Sequence, residues 1–537
     1  MAGSLQTTIE TLGRSRNDAA TGTLLAALPT ASGAIVDQII RALVRRTSKQ
    51  GHVAVLARWP QMGAELRSAV LANQGRMGGA LREALLSDND QMFANACDVA
   101  RESGEYDLAP TLITVAEQPS GQRREAATTL VVGLAERLLR PFDEEEVAGF
   151  SRHPETIRQG VLESLQRSVE RFAAHGNRAL VEAFVILAGP DNPSLRTILQ
   201  APRHTCHETI VDILEESQNP EVLKLLTAFL IGAEAPPAVR SIVARRTDDP
   251  FVATLLELPL SPASMALEKN LACIHGLACL ASAAAICQRC SPEKQAAAMR
   301  LMSYSGAAEE AKLEFAATLL SRGAPQARLA ACECLALIAG QRANELILAA
   351  LDDPEGEVQA AATRQLRQRH IPGTLARLIE LASSPHAAVQ AAARDSLTEF
   401  SFENFLARYE TLDDDARRQT ASLVALVDVT APLRLRGEMD SPVRRRRMRA
   451  IEIAELMGIT SQLADVLVEL LDDDDHLVRA AAADALAHCT ADDVRDALLA
   501  ALQDRSHAVQ VAAANSLRVL GQSERGAPSG QRSEALP

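Results

Sequence analysis

Aromatic residues and lysine are scarce in this chain of 537 residues. Aromatic side chains make up 3% of the residues, and Trp59 is the single tryptophan. Because β-sandwich strands favour aromatic and β-branched residues, this composition argues against a sandwich fold. The hydrophobic 47% is supplied mostly by Ala, Leu and Val, which suit closely packed helices. Lysine occurs at only five positions, so arginine carries nearly all of the positive charge.

The chain also lacks an excess of positive charge. Its 69 Asp and Glu residues outnumber its 55 Lys and Arg residues, which gives a formal net charge of −14. An acidic surface repels phosphate backbones, so we expect no general affinity for nucleic acid. Only a local basic patch could overcome that repulsion.

Signals for secretion, disulfide formation and membrane insertion are missing as well. Met1–Glu10 contains no basic segment followed by an apolar run, so we expect no signal peptide. The nine cysteines follow no framework spacing, which predicts reduced thiols in a cytoplasmic protein. The apolar stretch Leu271–Cys287 is short for a membrane span and is interrupted by His275, so it predicts a buried helix pair.

No motif of an enzyme stands out. A glycine-rich phosphate loop, a nucleophile elbow and a metalloprotease His-Glu motif are all absent from the sequence. We therefore predict no catalytic residue, no cofactor and no metal ligand, and a chain that is not an enzyme.

A repeat of 31 residues is plainest in the C-terminal third. Val358 and Val389 are 31 residues apart, and so are Val478 and Val509. Each valine is followed by Ala four residues later and by Leu eight residues later. These offsets lie on one face of a helix, and the Asp, Ser or Pro before each valine suits a helix start.

The same register extends over most of the chain. It runs from Ile35 to Val509 with a mean spacing of about 32 residues. The other predicted starts of the apolar stripe are Met62, Met92, Arg123, Ile157, Leu195, Val239, Met265, Lys294, Ala327, Ala416 and Val443. Because one hairpin cannot bury its apolar face alone, we predict an all-α fold, an α-solenoid of about fifteen stacked helical hairpins.

Four regions are predicted along the chain. Residues 1–235 form divergent helical repeats, and residues 236–262 form an irregular junction because five prolines fall within it. Residues 263–521 form regular repeats, and the polar residues 522–537 form a disordered tail. The repeat boundaries between 172 and 300 remain open.

The segment Asp473–Leu486 resembles the HEAT repeat in its order of Asp, Val-Arg and Ala-Ala followed by Ala-Leu. The short period resembles the bacterial variety related to phycobiliprotein-lyase repeats. This resemblance is strong over Ala324–Gly521 and moderate over Gly22–Arg171. It implies a superhelix with an extended curved surface that binds a protein or peptide. HEAT repeats also serve transport proteins, lyases and DNA enzymes, so the function stays open.

A cluster of arginines gives the most specific functional hypothesis. In the predicted register, Arg447 takes the place that Ala362 has in its own repeat, where an unpaired arginine would be costly to bury. The helix must therefore turn its apolar face toward Met448, Ile451 and Ala454, or the repeat must open. Either way several arginines project outward. The predicted partner-binding residues are Arg444, Arg445, Arg446, Arg447, Arg449 and Arg479.

Guanidinium groups bind carboxylates and phosphates with two parallel hydrogen bonds. An acidic or phosphorylated protein segment is the expected partner, and nucleic acid is a weaker alternative. The competing interpretation is a solvated helix face paired with nearby carboxylates, those of Glu438, Asp440, Glu452 and Glu455.

The residue after each stripe start is often polar, which predicts a polar ladder along the stack. Its members are Gln359, Gln390, Arg444, Arg479 and Gln510. The ladder could join neighbouring repeats or contact a partner, and the sequence does not separate the two.

Two groups of metal-ligating residue types remain open as sites. His204, His207 and Glu208 would lie near one another on a helix after Pro202. The other group, in an Ala-rich stretch, is Cys273, Cys279, Cys287 and Cys290. The aspartate runs 413–415 and 472–475 fall where helices begin, so we interpret them as caps rather than calcium ligands.

The leading function is therefore a non-enzymatic scaffold in a bacterial cytoplasm. Two alternatives remain: an accessory subunit of a lyase-like enzyme, and nucleic-acid binding through Arg444–Arg449.

Overall fold

The computed structural model describes residues 2–73, 75–140 and 153–526. The chain divides into two compact units, residues 1–312 and 313–537. Within the described residues, α-helices and short 3₁₀ helices are the only regular secondary structure. The predicted all-α class and the solenoid of helical hairpins are confirmed.

The first unit is a series of short helices joined by tight turns. Its α-helices are Ala2–Arg14, Ala19–Ala27, Ala34–Arg45, Lys49–Ala57, Ala64–Leu71, Gly78–Leu86, Asp90–Ser103, Ala109–Ala116, Gln122–Arg137, Pro154–Glu170, Phe172–His175, Arg178–Leu187, Pro193–Gln200, His207–Glu216, Pro220–Ile231, Pro237–Arg245, Asp249–Leu255, Met265–Ala272, Ala283–Arg289 and Pro292–Tyr304. Its 3₁₀ helices are Trp59–Gln61, Tyr106–Leu108 and Ala278–Leu280. Helix Glu309–Arg322 contains the boundary between the units.

The second unit continues in the same manner. Its α-helices are Pro325–Leu335, Gln341–Ala350, Gly356–Gln365, Thr374–Leu381, Ala387–Asp395, Phe402–Arg408, Asp414–Val427, Ala431–Met439, Arg444–Met457, Ala464–Glu469, His476–Ala485, Asp492–Ala501 and His507–Gly526. Its 3₁₀ helices are Thr398–Phe400, Tyr409–Thr411, Thr460–Leu463, Leu470–Asp472 and Leu486–His488.

Polar side chains fix where many of these helices begin. Asn89 accepts a hydrogen bond from the Met92 amide, and Asp413 accepts one from the Ala416 amide. Ser291 caps its helix in the same way. Each cap satisfies an amide that has no partner inside the helix, so the turn before it stays short.

The predicted apolar stripe is the core of the regular repeats. Val358, Ala362 and Leu366 are buried. Helix Gly356–Gln365 packs along helix Ala387–Asp395, whose equivalent residues are buried as well. Alanine in the middle of the stripe has no bulk beyond Cβ, which permits this close approach.

The predicted register of the apolar stripe is wrong at helix Met265–Ala272, where the repeat is less regular. The predicted stripe start Met265 is 86% exposed, whereas Leu267 and Leu271 are buried. The prediction was wrong by two residues, because helix Met265–Ala272 begins at the cap Ser264 and its apolar face follows from that start.

The apolar stretch Leu271–Cys287 is divided among short helical turns. It includes the end of one helix, the 3₁₀ helix Ala278–Leu280 and most of helix Ala283–Arg289. Throughout the part of the chain that the structure describes, no helix has the length and apolar character needed to cross a membrane.

The predicted region boundaries remain predictions. The proline-rich stretch 236–262 contains helices Pro237–Arg245 and Asp249–Leu255. Helix His507–Gly526 continues into the predicted tail, and the rest of that tail, residues 527–537, lies outside the described residues.

Candidate functional site: the arginine surface

The predicted arginine cluster lies at the start of helix Arg444–Met457. The turn before this helix contains Ser441 and Pro442, which repeat the Ser384 and Pro385 of an earlier turn. Counted from these serines, the place of Gln390 is taken by Arg447. The true register of this repeat is therefore three residues later than predicted.

Burial confirms the later register. Ala450 and Ala454 are buried, whereas the predicted stripe start Val443 is 52% exposed. The assignment of Arg447 to the central alanine position was therefore wrong. The expected turn of the apolar face toward Ile451 and Ala454 is confirmed, since both are buried.

Arg447 binds to groups within the chain. Its Nη1 donates to the Ser441 carbonyl oxygen at 2.8 Å, and its Nη2 donates to Asp473 Oδ1 at 3.0 Å. Its Nε lies 2.8 Å from Asp473 Oδ2. One guanidinium thus ties the turn of its own repeat to the turn of the next.

The same contact recurs at two other repeats, and we call the three pairs arginine–aspartate clamps. Each joins an arginine to an aspartate 25 or 26 residues later, with two guanidinium nitrogens facing the carboxylate. The pairs are Arg328–Asp353, Arg447–Asp473 and Arg479–Asp504.

The clamp between Arg479 and Asp504 favours the charged form of both groups. The hydrogen bond from Arg479 lowers the pKa of Asp504, and the same contact raises the pKa of Arg479. Arg479 is only 3% exposed. The guanidinium groups of Arg447 and Arg479, both predicted to bind a partner, are thus engaged in contacts between repeats.

Glutamines occupy the same position in other repeats. Gln359, Gln390 and Gln510 each donate from Nε2 to the carbonyl oxygen six residues earlier, at 2.6, 2.7 and 2.7 Å. The polar ladder therefore serves as a turn-fixing contact in these repeats. Arg447 is the ladder residue of its repeat, and Arg444 lies outside the ladder.

Four arginines remain on the surface, and we call Arg444, Arg445, Arg446 and Arg449 the arginine surface. Nε of Arg444 lies 3.2 Å from Asp475 Oδ2, and Nη2 of Arg445 lies 3.1 Å from Glu410 Oε1. The Arg445 side chain is 81% exposed, so most of its donors face solvent.

Glu438 is the main carboxylate of this surface. Arg446 donates to both of its oxygens, at 2.9 and 2.5 Å, and this pairing raises the pKa of Arg446. Arg449 lies 3.9 Å from Glu438 and from Glu410. The sequence anticipated Glu438, but Glu410 comes near only through the stacking of repeats.

Exposed apolar side chains lie near these arginines in the sequence. Val429 is 69% exposed and Leu433 is 72% exposed. Leu433 belongs to helix Ala431–Met439, which packs against helix Arg444–Met457. Val443, which directly precedes Arg444, is exposed as well.

The histidine group does not form as predicted. Helix His207–Glu216 begins at His207, so His204 lies in the preceding turn and shares no helix face with Glu208. His204 Nδ1 accepts a hydrogen bond from the Cys206 amide, and His207 Nδ1 lies 2.8 Å from the Ile198 carbonyl oxygen. These contacts position the start of the helix.

The cysteines form no disulfide, and all nine lie in the described residues. Burial raises the pKa of Cys279 to about 11. Gln295 donates to the carbonyl oxygens of both Cys287 and Cys290 and so fixes the turn between two helices. No group of three or more potential metal ligands is found among the residues that the structure describes.

The aspartate runs include helix caps, as predicted. Asp413 caps its helix, and Asp475 accepts a hydrogen bond from the Leu477 amide at 2.8 Å. Asp473 instead accepts from Arg447 in a clamp, a role that sequence did not reveal.

The family model described as HEAT repeats matches residues 313–398 and 434–528. This match supports the HEAT-repeat family. The matched segments lie in the second unit, and they contain all three clamps. No curated protein matches the sequence significantly.

Several solved structures are similar at low sequence identity. Kap121p bound to RanGTP is 14% identical over 94% of this chain, with a TM-score of 0.31, and this chain spans 58% of it. A chain from a study of the interaction between cadherin and beta-catenin is 12% identical, with coverages of 94% and 99% and a TM-score of 0.39. UNC-45 from Drosophila melanogaster is 12% identical, with coverages of 95% and 81% and a TM-score of 0.20.

Proposed function

We propose that this chain is a non-enzymatic HEAT-repeat scaffold that binds an acidic protein or peptide segment at the arginine surface. The observation that carries the proposal is the exposure of Arg444, Arg445 and Arg446 directly after the exposed Val443. Arginine and apolar side chains together are typical of the central part of protein interfaces.

The guanidinium groups have donors to spare. Each has five N–H groups, and Arg445 uses one contact with Glu410. Exposed ion pairs of this kind contribute about 0–1 kcal/mol, so a partner's carboxylates can replace the chain's own at little cost. The buried clamps hold the helices beneath and keep the surface in one arrangement.

The apolar residues set the chemistry of the partner further. Val429, Leu433 and Val443 lose water when a partner covers them, which contributes about 25 cal/mol per Å² of apolar surface buried. We therefore propose a segment that combines Asp, Glu or phosphorylated residues with Leu, Ile or Phe.

We also propose the finer features that the sequence indicates. These are short HEAT repeats of the phycobiliprotein-lyase type, a bacterial cytoplasmic location, and the absence of catalysis. The 31-residue period and the lack of a disulfide among the nine described cysteines support the first two. Because the guanidinium groups of this surface pair with carboxylates of the chain, we propose that they bind a partner and do not catalyse a reaction.

Peptide display against the purified chain tests the proposal. We expect selected peptides to be rich in acidic and apolar residues and to bind more weakly after the double change Arg444→Glu and Arg445→Glu. The matched control changes Arg342→Glu and Arg418→Glu, two residues of the same unit with side chains 65% exposed, and it should bind as the unchanged chain does.

Peptides without acidic enrichment, or equal binding by both double variants, would contradict the proposal. A gel shift with single-stranded RNA at low salt provides a further arm. An RNA complex that the Arg444→Glu, Arg445→Glu variant loses would favour nucleic acid over an acidic peptide.

A further inference from the structure

The first unit contains a polar pocket of about 610 Å³ near its N-terminus. It lies where the loop after helix Ala2–Arg14 meets the turn before helix Lys49–Ala57. Four arginines line it: Arg14, Arg16, Arg45 and Arg46. Asp18 is the one carboxylate among the described lining residues, so these residues make the pocket positive in a chain whose net charge is −14.

Arg46 builds the wall of this pocket. It is 7% exposed, and its Nη1 donates to the carbonyl oxygens of Leu12 and Ser15 at 2.7 and 2.6 Å. Its Nη2 donates to the Asn17 carbonyl oxygen and its Nε to Thr21 Oγ1. Arg46 therefore fixes the loop that carries Arg14 and Arg16.

The other three arginines have no such role. Among the described residues, Arg14, Arg16 and Arg45 take part in no side-chain hydrogen bond or ion pair in which their guanidinium donates. All three are exposed. Their donors are open to a ligand in the pocket.

Helix starts and helix ends both adjoin the pocket, so their dipoles oppose one another. Helices Ala19–Ala27 and Lys49–Ala57 begin there, and helices Ala2–Arg14 and Ala34–Arg45 end there. The Ala19 and Gly51 amides already donate, to Asn17 Oδ1 and to Ser48 Oγ. The positive charge of the pocket therefore comes from its arginines.

The surrounding helices hold the pocket in shape before any ligand binds. A Cβ atom on Gly13 would come within 3.0 Å of Ala42 Cβ, and one on Gly51 would come within 3.2 Å of Leu43 Cδ2. This close packing leaves little room for rearrangement, and a preformed site loses less free energy on binding.

We propose that this pocket is a binding site for a compact phosphate-bearing ligand, such as a diphosphate or a sugar phosphate. Its volume is within the usual range for small ligands. Among the described residues, no aromatic or large aliphatic side chain lines it, so they offer nothing for a nucleobase to stack on. Arginine guanidinium groups are donors that recognise phosphate.

Isothermal titration calorimetry of the full chain with pyrophosphate at constant ionic strength tests the proposal. We expect saturable binding that weakens by roughly tenfold or more after Arg14→Ala and Arg16→Ala, since each charged hydrogen bond contributes substantially. The single change Arg45→Ala should weaken binding in the same direction. Circular dichroism establishes that each variant is folded.

The control variant changes Arg342→Ala and Arg377→Ala, exposed residues of the second unit, and should bind pyrophosphate as the unchanged chain does. ADP should bind no more tightly than pyrophosphate. The proposal is overturned if the unchanged chain gives no saturable heat, or if the Arg14→Ala, Arg16→Ala variant binds equally well. Much tighter binding of ADP would overturn the assignment to a compact ligand.

Discussion

At the scale of single residues, each arginine–aspartate clamp holds a charged pair where both side chains are largely shielded from solvent. Arg479 binds both oxygens of Asp504 and also donates to the Asp473 carbonyl oxygen at 2.8 Å. Removing one partner of a buried charged pair leaves the other charge without compensation. The clamps should therefore be much more sensitive to substitution than the arginine surface.

Arg479→Ala should lower the free energy of unfolding of the second unit by about 3 kcal/mol. Arg445→Ala, in the exposed cluster, should change it by less than about 0.5 kcal/mol. Urea denaturation followed by circular dichroism measures both. Arg479→Lys should restore only part of the loss, because an ammonium group cannot make two parallel bonds. Equal effects for the two alanine variants would refute the clamp assignment.

The carboxylates Glu455 and Asp484 lower the stability of the fold at neutral pH, whereas the clamps raise it. They lie on neighbouring helices and both are exposed, yet partial desolvation by the packed helices raises the pKa of each. The charges of Asp484 and Glu452 raise the pKa of Glu455 further, and His488 opposes them. Because these folded-state pKa values exceed the unfolded ones, the ionised forms destabilise the fold at neutral pH.

Asp484→Asn should therefore raise the free energy of unfolding at pH 7 by at most about 0.3 kcal/mol, because solvent screens these exposed charges. The gain should shrink as the pH falls through the raised pKa values and vanish below the unfolded value near pH 4, where both states are protonated. Urea titrations across this range measure it. Asp395→Asn, at the equivalent exposed position of helix Ala387–Asp395, is the control and should show no such gain.

At the scale of helices, side-chain caps fix where many of the elements begin. Asp413 accepts a hydrogen bond from the Ala416 amide at 2.8 Å, while its neighbour Asp415 makes only a 3.6 Å contact with Arg418. The side-chain cap satisfies an otherwise unpaired amide, and the surface pair contributes little.

Asp413→Ala should destabilise the second unit by about 1 kcal/mol, and Asp415→Ala should cost less than half of that. Both changes remove one negative charge near the same helix start, so the comparison isolates the hydrogen bond. Thermal unfolding followed by circular dichroism measures the difference. If the two variants melt together, the cap does not hold this helix.

The register of most elements was predictable from local pattern, and the exceptions are instructive. Val358 starts a stripe that sequence placed correctly. Val443 starts no buried stripe, because a valine alone does not mark the start of a repeat helix. The Ser441-Pro442 pair, which repeats Ser384-Pro385, was the better signal, since it fixes the turn that sets the helix.

At the scale of the whole molecule, the chain consists of two compact units. In repeat proteins each hairpin is stabilised mainly by its neighbours, so a long enough array folds without the rest of the chain. The second unit also has its own continuous apolar core, which extends from Phe402 to Leu520.

A fragment of residues 309–526, which begins with the whole of helix Glu309–Arg322, should fold independently. We expect a helical circular dichroism spectrum and a cooperative urea transition, because the fragment keeps its neighbouring repeats and its three clamps. Shortening it to residues 309–440 removes two clamps and should weaken the transition. A fragment 309–526 without cooperative unfolding would show that the second unit needs the first.

The sequence by itself determined the all-helical class, the 31-residue rhythm and the buried valine–alanine–leucine stripes. These follow from local periodicity, which a single helix already expresses. Only the tertiary structure decided that Arg447 and Arg479 clamp neighbouring repeats while Arg444, Arg445 and Arg446 stay exposed. That choice depends on carboxylates about 25 to 35 residues away, such as Asp473, Asp504 and Glu410, and stacking alone brings these within hydrogen-bond distance.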